Sequence, residues 1–208
     1  MIEDLVRMVL KLSPGVRKIN HDLAFMRDAV KPVLDQLIPF QEEKEIELMS
    51  LKYDIKSQKQ GLDKILRGKL YSIYYEPMVT FAYKDYVKGS KDALLYCRTK
   101  SSEFIFRIKK RDIDVYYDGH QVAIIDHQLV MHGIRSKSVL GRIKPYSNEM
   151  LSIIVKEKEV GQMFNPLKSH FPQQRVYSLI ADLKAEEQGI FLSLTLYILI
   201  TGLLSNKK

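Results

Sequence analysis

The chain carries a single cysteine, Cys97, among its 208 residues, so no internal disulfide can form. Its first residues lack the basic start, apolar stretch and small-residue cleavage site of a secretory signal. Together these absences point to a reducing, cytoplasmic compartment. Phosphate-cradling and nucleophile motifs are missing too: there is no Gly-x-x-x-x-Gly-Lys-Ser/Thr, no Gly-x-Gly-x-x-Gly and no Gly-x-Ser-x-Gly. Nucleotide-driven and elbow-type hydrolase chemistry therefore has no support. With one cysteine, no close-spaced zinc pair of the Cys-x-x-Cys kind is available.

Of the five histidines, His120, His127 and His132 cluster in sequence with Asp126. On one extended strand His127 and His132 would point to opposite faces, so surface or turn roles fit them better than metal ligation. Asp112, Asp114, Asp118 and Glu149 could form an acid and base pair, but alternating acids are usually the solvated face of a strand. The expectation is a protein that is not an enzyme and takes no cofactor.

What is present is ordinary globular material: 46% hydrophobic and 28% charged, with 7 Pro and 10 Gly. This length can bury a sizeable core without staples. Cys97 belongs to the apolar run Ala93-Leu94-Leu95-Tyr96-Cys97 and reads as a small buried hydrophobe. The formal charge of +8, from 33 basic against 25 acidic residues, directs a positive field at anionic partners such as phospholipid headgroups or nucleic acid.

Periodicity divides the chain near residue 46. Residues 1–45 read as a helical segment, with Leu5, Met8, Val9 and Leu12 at helical spacing before a Ser13-Pro14-Gly15 break. A second helix follows on Ile19, Leu23, Met26, Val30, Val33, Leu34 and Leu37, with Pro32 and Pro39 expected to kink or end it. From there to residue 208 the signal is that of a β domain. Leu51, Tyr53 and Ile55 alternate with polar neighbours, and a polar stretch from Lys56 to Lys64 precedes the aromatic run Leu70 to Tyr75. Further strands are expected at Val79 to Tyr83, on Phe104, Phe106 and Ile108, and on Ile113, Val115 and Tyr117.

Asp118-Gly119 supplies the positive φ of a tight hairpin turn, with Gln121 to Asp126 returning. A second hairpin follows the same plan: Leu151 to Val155, a corner at Lys156 to Glu159, and a return from Val160 to Phe164. One more strand, Arg175 to Ile180, precedes Lys184-Ala185-Glu186-Glu187, whose acids suit a helix N-terminus.

The terminal helix, about 185–204, carries no charge between Gly189 and Leu204. A helix apolar all round is either a membrane span or buried on every side within protein. This run is shorter than a comfortable span and contains Ser193, Thr195, Thr201 and Gly202. An antiparallel β-barrel wrapped around the helix is the economical solution, and a tail anchor is the rival.

The layout from about residue 90 to 208 resembles the superfamily of tubby C-terminal domains, phospholipid scramblases and plant LURP-one-related proteins. It rests on Val115-Tyr116-Tyr117-Asp118-Gly119-His120-Gln121-Val122-Ala123, on Leu140-Gly141-Arg142-Ile143-Lys144 leading into Ile154 to Phe164, and on the acids before the terminal helix. The resemblance implies a closed many-stranded antiparallel barrel around a hydrophobic C-terminal helix. It also implies a link to phosphoinositide attachment or calcium-linked lipid movement. The chain departs from the group in having no acidic calcium loop, no cysteine-rich acylation segment, and additional N-terminal helices.

The expected ligand-binding residues are Lys109, Lys110 and Arg111, joined by Arg135, Lys137, Arg142 and Lys144, with Tyr116 and Tyr117 close in sequence. Cations beside aromatics suit anionic phospholipid at a membrane surface and, less well, single-stranded nucleic acid. The expected function is a cytoplasmic binding or scaffold module, peripheral to a membrane. A second expectation is an interaction protein whose N-terminal helices recruit a partner or a second copy.

Overall fold

A computed structural model of the chain describes residues 14–40, 43–60, 63–86, 92–168 and 174–206. The described part opens with helix α1 (Val16–Val30), a 3-10 segment (Lys31–Gln36) and a single helical turn, α2 (Glu43–Ile46). Four strands follow: β1 (Met49–Gln60), β2 (Asp63–Ser72), β3 (Pro77–Asp85) and β4 (Ala93–Arg98). Next come β5 (Glu103–Ile108), β6 (Ile113–Tyr117), β7 (His120–Ile125) and β8 (Val130–Gly133). The sheet finishes with β9 (Val139–Pro145), β10 (Met150–Val155), β11 (Lys158–Phe164) and β12 (Tyr177–Leu179), and α3 (Ala185–Ser205) ends the chain's described part.

Each strand pairs antiparallel with the next, so the sheet order is the chain order from β1 to β12. The two edges meet. Ser50 bridges Arg175, the Leu51 N–H donates to the Gln174 carbonyl at 3.1 Å, and the Val176 N–H donates to the Met49 carbonyl at 2.8 Å. The result is a nearly closed barrel.

Strand alternation sends one set of side chains inward: Phe81, Leu95, Phe104, Phe106, Val115, Ile125, Met131, Ile143, Ile153 and Val155. These share one core with Phe191, Leu194, Leu196, Leu199, Ile200 and Leu203 of α3. The helix is long and apolar enough to cross a membrane, yet 67% of its most apolar window is buried inside the protein. Its hydroxyls are satisfied locally: Ser193 donates to the Gly189 carbonyl at 2.7 Å, Thr195 to Phe191 at 2.9 Å and Thr201 to Tyr197 at 2.7 Å. Burial of those groups therefore leaves no lost hydrogen bond. At the N-terminus the Lys184 N–H donates to Glu187 Oε2 at 3.0 Å, so the acids expected there do cap the helix.

Close approach of α3 to the sheet depends on Gly141 of β9. A Cβ built there would lie 2.8 Å from the Ile154 carbonyl oxygen and 2.9 Å from Leu194 Cδ1. A side chain there would press on the β10 backbone as well as on the helix side chain Leu194.

The outer face of the barrel carries a second, smaller core. Met26, Ala29 and Val30 of α1 pack on Ile65, Ala82, Leu94, Tyr96 and Ile105. Strands β3 to β5 are thus buried on both faces, which is why their sequences read as near-continuous apolar runs. Ion pairs through two carboxylates, Asp22 and Glu103, fasten the helix to the sheet. Asp22, fully buried, accepts from Lys84 Nζ at 2.8 Å and from Lys18 Nζ at 3.0 Å, and Arg27 Nη2 donates to Glu103 Oε1 at 2.6 Å.

The structure departs from the sequence expectations in several places. The polar stretch Lys56 to Lys64 lies mostly in strands, because β1 runs on to Gln60 and β2 starts at Asp63; these strand ends are polar on both faces. The run Leu70 to Tyr75 is half strand and half turn, since β2 stops at Ser72. The corner at Lys156 to Glu159 shrinks to Lys156 and Glu157, which take φ of 47° and 68°, while Lys158 already pairs with Val155. The Asp118-Gly119 turn forms as expected, at φ of 45° and 82°. The second helix ends at Val30, just before Pro32, and the helix expected on Leu5 to Leu12 lies outside the described residues.

Two stability predictions follow from this packing. Gly141→Ala should destabilise the fold by about 1–3 kcal/mol in urea titration, because overpacking outweighs the usual gain of replacing a strand glycine. Asp22→Ala should cost about 3–5 kcal/mol by leaving Lys84 buried without its carboxylate. The double variant Asp22→Leu/Lys84→Met should recover most of that loss, and a double variant no better than the single one would show that the charge pair is not the cause.

Candidate functional site

The seven basic residues expected to form one patch are divided by the topology. In an up-and-down sheet successive connections alternate between the two ends of the barrel, and the β5–β6 and β8–β9 connections are three strands apart. Lys110 and Arg111 are exposed at one end, whereas Arg135 and Lys137 are exposed at the other. Lys109 is engaged with Asp114 Oδ2 at 2.5 Å, on the neighbouring strand. Arg142 is half-buried on β9 opposite Ile154, and Lys144 is exposed on the same strand opposite Ser152. Tyr116 packs into the outer core and Tyr117 against the main core, so neither is free to stack beside Lys109 to Arg111.

A different set of cations does converge. Along β1 and β2 the outward positions are Lys52, Asp54 and Lys56 on one strand and Arg67, Lys69 and Tyr71 on the other, with Asp54 opposite Lys69 and Lys56 opposite Arg67. Asp54 organises this surface. Its Oδ1 accepts the Lys69 backbone N–H at 3.1 Å, its Oδ2 accepts the Tyr71 hydroxyl at 2.7 Å, and the Lys69 ammonium lies 3.7 Å away. Burial, and then Asp54, push the Tyr71 hydroxyl above its ordinary pKa, so it stays a neutral donor. Contact with Tyr71, opposed by burial and reinforced by Asp54, holds the Lys69 ammonium above its usual value. Both ammonium groups also sit over aromatic faces: Lys52 Nζ is 3.2 Å from the Tyr75 ring centre, and Lys69 Nζ is 5.4 Å from that of Tyr71.

Arg67 ties this face to the helix. Its Nη1 donates to the Ala29 carbonyl at 3.1 Å, near the negative end of α1. Between helix and hairpin lies a groove of about 110 Å³ lined by Ala29, Val33, Asp54, Lys56, Arg67, Gly68, Lys69 and Thr80. Gly68 lets the three strands close behind it, since a Cβ there would sit 2.3 Å from the Asp54 carbonyl oxygen and 2.5 Å from Phe81 Cζ. Lys56, Arg67 and Lys69 face a single carboxylate across this groove. Lys56 and Arg67, like charges directly opposed, lower stability unless an anion compensates them.

The sequence offered a signal for this site in the alternation Lys52-x-Asp54-x-Lys56 and Arg67-x-Lys69-x-Tyr71. The uniform polarity of Lys56 to Lys64 hides the register that brings the two runs together.

Other chemistry-bearing residues have structural occupations. Asp126 accepts the Gln128 and Val130 N–H groups at 2.8 and 3.0 Å and lies 3.0 Å from His132 Nε2, building the β7–β8 turn. His120 and His127 are exposed, and among the described residues no group of three potential ligands gathers for a metal ion. Burial pushes the Cys97 thiol well above its ordinary pKa, so it remains a thiol inside the core. Set against known proteins, the chain matches no family model, no curated protein and no solved structure.

Proposed function

We propose that this chain is a non-enzymatic module that binds phosphate-bearing anionic headgroups at a membrane surface. The observation that carries the reading is the convergence of Lys56, Arg67 and Lys69 around one carboxylate on the outward face of the β1–β2 hairpin. Ammonium and guanidinium groups placed together on a rigid sheet suit phosphate oxygens, and fixed strands lose little entropy on engaging them. Exposed Tyr74 and Tyr75, in the β2–β3 turn, supply amphipathic rings of the kind that settle at the headgroup level. The resemblance to the tubby, scramblase and LURP-one-related group supports the same reading, because phosphoinositide attachment is among that group's associations. The cytoplasmic leaflet, which holds the anionic lipids, is the proposed place of action.

Sedimentation with phosphatidylcholine vesicles, with and without phosphatidylserine, tests the proposal. The protein should sediment with the anionic vesicles only, and release should follow added salt. Lys56→Gln/Lys69→Gln, which spares the Arg67 contact to α1, should weaken binding about 30-fold, at roughly 1 kcal/mol for each cation near the surface. Neutralising Lys110 and Arg111 should change it less. Equal losses from the two pairs, or no difference between the vesicle types, would remove the hairpin as the binding face.

A further inference from the structure

The opposite face of the same hairpin carries a second feature, independent of the reading above. The terminal helix lies closest to β9, β10 and β6, drawn there by the close approach at Gly141. It therefore stands off from β1 to β3 near its C-terminal end. The gap is a cavity of about 370 Å³ lined by Ile55, Ser57, Leu66, Tyr83 and Asp85 from the strands, and by Thr201, Leu204 and Ser205 from α3. That volume falls within the roughly 300–1,000 Å³ range of small-ligand sites, and barrel mouths are a preferred place for them.

The lining is ordered by depth. Ile55 opposes Gly68, Ser57 opposes Leu66, and Leu66 opposes Tyr83, so the wall between strands and helix is largely apolar. Three of its hydroxyl protons are already committed. Tyr83 donates to Asp85 Oδ1 at 2.5 Å, Thr201 to the Tyr197 carbonyl at 2.7 Å, and Ser205 to the Thr201 carbonyl at 2.8 Å. One step outward on the same face of the hairpin, Lys59 stands directly opposite Lys64, and both are exposed. Like charges paired across strands are destabilising by themselves. Among the described residues lining the cavity, Asp85 is the one carboxylate, and it already accepts the Tyr83 hydroxyl. Two ammonium groups at the rim of a mostly apolar cavity outnumber it.

We propose that this cavity is a binding site for a single-chain anionic amphiphile, whose alkyl chain enters between β1–β3 and α3 while its head is held between Lys59 and Lys64. The shared chemistry of the head is an oxyanion, from either a fatty acid carboxylate or a single-chain alkyl phosphate.

Titration calorimetry and methyl NMR on the full chain test it with octanoate, decanoate, decyl phosphate, decanol and decylammonium, each below its micelle concentration. Decanoate or decyl phosphate should bind at one site, shifting methyl signals of Ile55, Leu66 and Leu204, with the tighter of the two identifying the head. From octanoate to decanoate, affinity should rise about fourfold for each added methylene that enters the cavity. Lys59→Gln/Lys64→Gln should weaken decanoate about tenfold and leave decanol unchanged. Ser57→Trp, at an exposed lining position, should abolish binding by filling the mouth. Decylammonium binding as well as decanoate, methyl shifts away from these three residues, or no binding by either anion would overturn the proposal. The outward variant Lys56→Gln/Lys69→Gln should leave amphiphile binding intact, so failure of the vesicle experiment and failure of this one are separable.

Discussion

One helix sets the terms for this fold. A run of sixteen residues without a charge, Gly189 to Leu204, cannot face water on any side, and the chain meets that demand with its own sheet. Twelve strands in simple up-and-down order can surround a helix because successive strands contribute inward side chains. The order of synthesis suits this solution poorly, since the helix comes last and the strands have no centre until it arrives. Contacts such as Tyr177 on Phe191 and Phe106 on Tyr197, with ring centres 5.2 and 5.8 Å apart, join residues from distant parts of the barrel through that single element. The interior is therefore one cooperative unit rather than a set of hairpins.

A second constraint acts outside. Helix α1 covers β2 to β5 with Met26, Ala29 and Val30, and the sheet beyond its reach must present polar outward positions. The boundary between these regimes runs along β1 and β2. There the outward row changes from Ile65, under the helix, to Arg67 and Lys69 at its edge. The basic groove is thus a consequence of where the helix stops, and Arg67 marks the border by bonding to the Ala29 carbonyl. The apolar face of α1 is spent on the barrel, which leaves Met26, Ala29 and Val30 nothing to offer a partner.

Much of this architecture was legible before any coordinates. Alternation in Phe104-x-Phe106-x-Ile108 and Ile113-x-Val115-x-Tyr117 marks the inward face, and the uncharged terminal run favours a lumen over a tail anchor. Asp118-Gly119 announced its turn because glycine at positive φ is cheap. Lys156-Glu157 signalled only a wider corner, Lys156 to Glu159, because both residues adopt positive φ against their own preference and the surrounding register compels it. Sites were harder than strands for a geometric reason. A strand is decided by neighbours in sequence, whereas a patch depends on which end of the barrel each connection occupies. Lys110 and Arg135 look like companions in a linear list, but an odd number of strands separates their turns. The cavity left no trace in sequence at all, since it is a difference between two shapes: a helix drawn toward Gly141 and a wall of strands that does not follow.

The β1–β2 hairpin concentrates what is unusual about the molecule. On its outward face Lys56 opposes Arg67, and on its inward face, three residues further along, Lys59 opposes Lys64. Each pair lowers stability by a few tenths of a kcal/mol to about 1 kcal/mol relative to neutral residues. Elsewhere the sheet avoids this: Arg107 stands opposite Asp114, and Lys109 reaches the same carboxylate. Random surface charge would scatter such conflicts around the barrel. Their concentration on one hairpin, one pair over a groove and the other at the rim of a cavity, is what an anion on each face would relieve. The electrostatic cost in the free protein and the attraction for a ligand are then the same quantity seen with the site empty and filled.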